Sequence, residues 1–309
     1  MYASYNVTSF TFVSYTDTGS LRFLWFFVLL LLYLIIIFSN LLLIAVITLD
    51  RTLHQPMFLL LLSHLANQLL GSATIFPFLL FQMLQDHHTI SRSFCFVQIF
   101  FLFFYGSVQI LMLAAMSYDR YVAICFPLQY HTLLSTQKLL RLLLVVWLFP
   151  LLEVSFMVSL SAPLKLCGSH LSKVYCDNYS VVKLACGDTT LNNVYGLLYT
   201  CVILLLVPAV ILYTYMRIIK VCQNGSKRMR QKAISTCAPH LASLLNLTVA
   251  CFCELVMTRF NTSFLPNDVR IFLSLYFITC PPLFDPLVYG LSLSKVRTSC
   301  RNRLFPERY

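Results

Sequence analysis

Apolar residues along this chain gather into seven long runs separated by short polar stretches. The runs fall at 23–48, 57–84, 95–125, 139–160, 194–219, 233–257 and 270–292. A helix crossing about 30 Å of hydrocarbon needs about 20 apolar residues at about 1.5 Å each, so each run predicts one spanning helix. The first twenty residues are polar, and the first run is too long for the apolar core of a signal peptide, so no cleavable leader is expected. Pro127 and the polar stretch His131 to Gln137 separate the third and fourth runs. The basic segment "KVCQNGSKRMRQK" (220–232) separates the fifth and sixth. The expected architecture is an all-α membrane protein. It has an N-terminal tail (1–22), a seven-transmembrane helix bundle (23–292) and a tail (293–309) carrying a short amphipathic helix. No internal repeat, low-complexity tract or soluble domain interrupts it.

Composition agrees with the pattern. Hydrophobic residues make up 59% of the 309 positions and charged residues 11%, where a soluble domain carries about 25% charged. Mean hydropathy is +0.79. The net charge of +11 would suit nucleic acid, but the placement of the basic residues follows topology instead. With the N-terminus outside, fifteen of the 22 Lys and Arg residues fall on the cytoplasmic side and seven on the other, the asymmetry that sets the orientation of a multi-pass membrane protein. Anionic lipid of the inner leaflet attracts the same surplus. The sequon Asn6-Val7-Thr8 then lies outside and is the glycosylation candidate.

Twelve cysteines are present, most of them within spans, where a small buried hydrophobe is the ordinary reading. Cys95, Cys167, Cys176 and Cys186 are expected outside, where four thiols allow three disulfide connectivities. Cys222 and Cys300 lie near the inner surface and are palmitoylation candidates. Cys95 and Arg120 are 25 residues apart, about 37 Å of helix, so the third helix links the two faces. Pro208, Pro281, Pro282 and Pro286 fall inside helices, where each frees a carbonyl and bends the axis.

The motifs resemble one family. "MSYDRYVAICFPLQY" (116–130) is similar to the MAYDRYVAIC signature of odorant receptors, within the rhodopsin-like G-protein-coupled receptors. "LHQPMFLLL" (53–61), "KAISTCAPHL" (232–241), "PPLFDPLVYGL" (281–291), Asn40 in "SNLLLI" (39–44) and the loop "CDNYSVVKLACGDT" (176–189) resemble the family's other signatures, in order. That loop, "LLNLTVACFCELV" (244–256) and "RIFLSLYFITCPPLFDP" (270–286) look closer to fish-type receptors than to the large mammalian class.

The resemblance implies a receptor for a small odorant, coupled to a stimulatory G protein that raises cyclic AMP, in the cilia of olfactory neurons. It implies no enzyme and no cofactor. It pairs Cys95 with Cys176 and Cys167 with Cys186. It assigns the activation switch and G-protein contact to Asp119, Arg120, Tyr121, Tyr130, Tyr215, His240, Asp285, Pro286 and Tyr289. Arg120 would pair with Asp119 at rest and meet the G protein when active. Three departures matter. Asp285 replaces the family asparagine and needs partners such as Asn40 or water. Gln68 and Gln109 stand where acids are common, so a sodium site is not expected. Thr248 stands where mammalian members often carry tyrosine.

A ligand site in a helix bundle is mostly apolar with a few placed polar groups. Helical spacing offers Leu102, Phe103, Gly106 and Ser107 on the third helix, Thr248, Cys251, Phe252, Leu255 and Arg259 on the sixth, and Leu275 and Thr279 on the seventh. Plain helix packing competes with ligand contact at each aromatic. Arg259 suits a ligand carboxylate, against snorkelling to lipid headgroups. Glu254 is costly unpaired within a span and suits an amine, or pairs with Arg259 or Lys183. Together the two suit a polar, water-borne or carboxylate-bearing odorant. Against a transporter stand seven spans without repeat symmetry. Against an enzyme, Asp285 has no histidine or second acid near it in sequence. A non-olfactory rhodopsin-like receptor is the closer alternative, although Leu102 stands where amine receptors carry aspartate.

Overall fold

In the computed structural model, residues 7–15, 21–223, 227–260 and 264–304 are described. Seven long helices form the bundle: α1 (Leu21–Leu49), α2 (Pro56–Met83), α3 (Arg92–Cys125), α4 (Thr136–Ser161), α5 (Thr190–Gln223), α6 (Lys227–Arg259) and α7 (Asn267–Ser292). A shorter α8 follows (Ser294–Leu304). All seven are long and apolar enough to cross a membrane. α1 shows why lipid is the solvent. Phe27 and Phe38 are exposed and apolar on its outside, while Asn40 is fully buried on its inside, the inverse of a water-soluble helix. α3 is the central post, packed on α2, α4, α5 and α6.

Local sequence explains the helix ends. Ser91 Oγ accepts the Phe94 N–H at the start of α3, and Pro56 opens α2 at its first position. α6 begins at Lys227, six residues before the expected 233, so the basic stretch between the fifth and sixth spans is largely helical. Lys, Arg, Gln and Met are good helix formers. In α5 a wide π turn, Val202–Leu206, sits just ahead of Pro208. It makes room where a proline ring would strike the carbonyl four residues earlier.

The polar ends hold what the apolar runs do not show. β1 (Ser9–Phe12) pairs antiparallel with β2 (Thr89–Ser91) and parallel with β3 (His170–Leu171). Phe10 and Phe12 point inward, while Ser9 and Thr11 face out, the alternation of a half-buried strand. Two disulfides, Cys95–Cys176 and Cys167–Cys186, join the same end of the bundle. At the opposite end α8 is tied down by Ser299, whose Oγ donates to Asp50 Oδ2 at 2.6 Å. Cys222 is buried among core side chains, which removes it as an acylation candidate. The side chain of Cys300 and the sequon at Asn6 lie outside the described residues.

Candidate functional site

A cavity of about 140 Å³ opens at the disulfide end among α3, α5, α6 and α7. Leu102, Phe103 and Gly106 wall it from α3, Ile203 and Leu204 from α5, Cys251 and Leu255 from α6, and Phe277 from α7. The space depends on Gly106: a Cβ there would stand 3.0 Å from Phe277 Cζ. A single helical turn, Asn178–Val182, forms the roof. Asp177 caps it by accepting the Ser180 N–H at 3.1 Å, and the disulfide at Cys176 anchors it to α3. Asp177, Asn178 and Tyr179 therefore line the cavity.

The polar rim is organised by a loop lysine. Lys173 Nζ donates to Glu254 Oε1 at 2.5 Å and to Thr258 Oγ1 at 2.7 Å, and lies 3.7 Å from Asp177 Oδ2. Tyr175 OH donates to the other Glu254 oxygen at 2.8 Å. Burial opposes the charge on Lys173, but Asp177 and Glu254 outweigh it and hold the ammonium above the ordinary lysine value. Glu254 is thus paired with Lys173, not with Arg259 or Lys183 as expected. Arg259 lines the cavity and lays its guanidinium 3.9 Å from the centre of the Tyr179 ring, with no carboxylate partner among the described residues.

Five expected pocket residues lie elsewhere. Phe252 is 62% exposed and faces lipid, one residue and about 100° around the helix from Cys251. Thr248 donates to its own helix at the Leu244 carbonyl, a turn below the cavity. Leu275 and Thr279 share a stripe of α7, with Thr279 donating to the Leu275 carbonyl; Phe277, two residues from each and on the opposite side, is the one that meets the space. Ser107 stands behind the wall, hydrogen-bonded at 3.0 Å to the hydroxyl of Tyr199, which does line it.

Deeper in the bundle, Asp285 is the centre of a buried polar cluster. Its Oδ2 accepts from His64 Nε2 at 2.9 Å, Gln68 Nε2 at 2.5 Å and Gln109 Nε2 at 3.0 Å. Tyr105 OH donates to Gln68 Oε1, and Asn67 Nδ2 to Gln109 Oε1. Gln68 and Gln109 thus both turn their amides toward the acid of the seventh helix. Asn40 is not a partner. Its Nδ2 donates to the Pro282 carbonyl at 2.9 Å, which Pro286, lacking an N–H, leaves unfilled four residues on. His64 stands 221 positions from Asp285 in sequence, and only the fold brings the two together.

From there a line of aromatic and imidazole groups leads to the other end. The His64 ring meets Tyr289 edge-on, and the Tyr289 hydroxyl lies 3.3 Å from His240 Nδ1. At the end of α3 Arg120 binds Asp119 through two nitrogens, Nε at 2.8 Å and Nη2. Tyr130, on the single helical turn Tyr130–Leu133, donates to the second Asp119 oxygen at 2.8 Å. Burial, then the adjacent carboxylate, pushes the Tyr130 phenol above its usual range, so it stays a donor. Tyr121 packs edge-on against Phe126. Tyr215 is buried, and its hydroxyl has no hydrogen-bond partner among the described residues.

Seven membrane-spanning helices, a disulfide-roofed cavity and a charged pair at the far end of the central helix define a seven-helix membrane receptor. The olfactory receptor family model matches residues 29–307. Human olfactory receptor 10C1 is 32% identical over 96% of this chain and 95% of its own length. Mouse olfactory receptor 4E2 is 31% identical over 96% and 95%, and human olfactory receptor 52K1 is 31% identical over 84% and 83%. The chain belongs to the olfactory receptor family. It is a multi-pass plasma-membrane G-protein-coupled receptor and not an enzyme.

Proposed function

We propose that the disulfide end faces outward and receives a small polar or carboxylate-bearing odorant, and that the Asp119–Arg120 end faces the cytoplasm and activates a stimulatory G protein. The observation carrying the ligand reading is Arg259: a guanidinium with no acid partner among the described residues, on the wall of an otherwise mostly apolar cavity. Half-buried there, it favours a planar carboxylate. Leu102, Phe103, Gly106, Cys251 and Leu255 supply the apolar contact, and Glu254, held by Lys173, fixes the rim. Arg120, closed on Asp119 and Tyr130, is the resting arrangement of a two-state latch. Asp285, Pro286, Tyr289, His240 and Tyr215 lie along the route between the ends, with Tyr121 beside the latch. Asn6 carries glycan, and anionic lipid lines the basic inner face.

The test is cyclic AMP in cells expressing this chain with a stimulatory G protein, exposed to carboxylic acids, amino acids, amines and steroids. A dose-dependent rise is expected for carboxylates, lost in Arg259→Gln and in Arg120→Ala at equal surface expression. An undiminished response in Arg120→Ala sinks the latch, and one in Arg259→Gln sinks the carboxylate assignment.

A further inference from the structure

A second cavity, of about 550 Å³, lies above the first and shares Thr258 and Arg259 with it. Its charged lining is one-sided. Lys173, Lys183, Arg259 and Arg270 face it, together with His170, and among the described residues no Asp or Glu does. Lys173 is committed to Glu254 and Asp177. The other three cations form no salt bridge among the described residues. Lys183 Nζ and the Arg259 guanidinium both lean on the Tyr179 ring, at 5.3 and 3.9 Å from its centre. A ring quadrupole attracts such cations but cannot neutralise them. Arg270 spends one nitrogen on the Ser172 carbonyl, at a long 3.4 Å, and keeps its other donors. Three like charges around one concavity repel each other until an anion enters, and a cleft of one sign concentrates the opposite ion.

We propose that this second cavity binds an oxyanion, a sulfate, phosphate or carboxylate group, as the head of an amphiphilic ligand whose apolar body occupies the first cavity. The inference rests on the first cavity being the ligand site. Arg259, on the boundary, would contact the head from below while Lys183 and Arg270 close on it from the sides. The ligand class is then an organic anion with a short apolar tail, and the head group sets affinity as much as the tail.

The test uses the purified full-length receptor in nanodiscs of phosphatidylcholine, whose headgroups carry no net charge. Half-saturating concentrations are read from thermal unfolding with hexyl sulfate, hexanol or sodium sulfate at constant ionic strength. Hexyl sulfate is expected to bind at least about tenfold more tightly than hexanol or inorganic sulfate. Lys183→Gln and Arg270→Gln should each weaken hexyl sulfate about threefold, and together about tenfold, with hexanol unchanged. Both lie at the bundle end, and an unchanged melting point of the free double variant shows it is folded. Hexyl sulfate binding that survives the double variant undiminished overturns the proposal. Inorganic sulfate matching hexyl sulfate overturns the two-cavity ligand and leaves a site for a free anion. The readout is binding, so failure of the G-protein reading would leave it unmoved.

Discussion

Asp285 concentrates three donors on one carboxylate oxygen, inside a bundle where an unpaired charge is expensive. His64→Ala should therefore lower stability by about 1–3 kcal/mol. In an Asp285→Asn background, where the acceptor is neutral, the same change should cost clearly less. Unfolding midpoints of the four purified proteins check this, and equal costs in both backgrounds would remove the pairing. Gly106 acts by being small. Gly106→Leu should abolish the odorant response at normal surface expression, because its side chain would drive into Phe277 and fill the cavity. Lys173 gives a pH signature. Its folded value is raised, so its contribution is present below the unfolded lysine value of about 10.4 and is lost as pH rises through the higher folded one. The difference in melting point between wild type and Lys173→Met should stay flat from about pH 6 to about pH 9 and shrink only in stronger alkali. Of this chemistry the sequence shows the residue types but not the partners. His64, Gln68, Gln109 and Asp285 are separated by up to 221 positions, and nothing local to any of them names the others. Lys173 is likewise invisible as the partner of Glu254, 81 residues away.

At the scale of elements, the seventh helix survives three internal prolines because another helix serves one of its carbonyls. Asn40→Ala should leave the Pro282 carbonyl buried and unpaired, at a cost of about 1–3 kcal/mol. Pro286→Ala returns an N–H to that carbonyl, so the Asn40 substitution should matter much less in that background. A double-mutant cycle on thermal unfolding measures the coupling, and additive costs would mean that Asn40 acts elsewhere. The seven helices were readable because each announces itself as a mostly apolar run of more than twenty residues. Their ends were not, since good helix formers carry α6 back into the basic segment. The strands were not readable either. They run to two, three and four residues, drawn from three distant segments, too short for alternation to stand out. On α7 the periodicity marks a stripe through Leu275 and Thr279, but in a helix apolar on most sides only packing selects the opposite stripe, and Phe277 with it.

Across the whole molecule, α3 carries both functional ends. Gly106 and Arg120 are fourteen residues apart, about 21 Å along one axis, so the cavity wall and the Asp119–Arg120 pair are built on a single helix. The strand ahead of α1 has a consequence of another kind, for biosynthesis. β1 leaves the ribosome before α1, yet Ser14, just past its end, donates to a carbonyl 158 residues later, and β3 emerges only after α1 to α4. β1 can pair with β2 once α1 and α2 have been made, but the sheet stays incomplete until β3 follows α4. Phe10 and Phe12, buried in the finished fold, lack part of their cover until the third strand arrives. Closure of that small sheet therefore depends on segments from the first half of the chain, on both sides of α1 to α4, having come together.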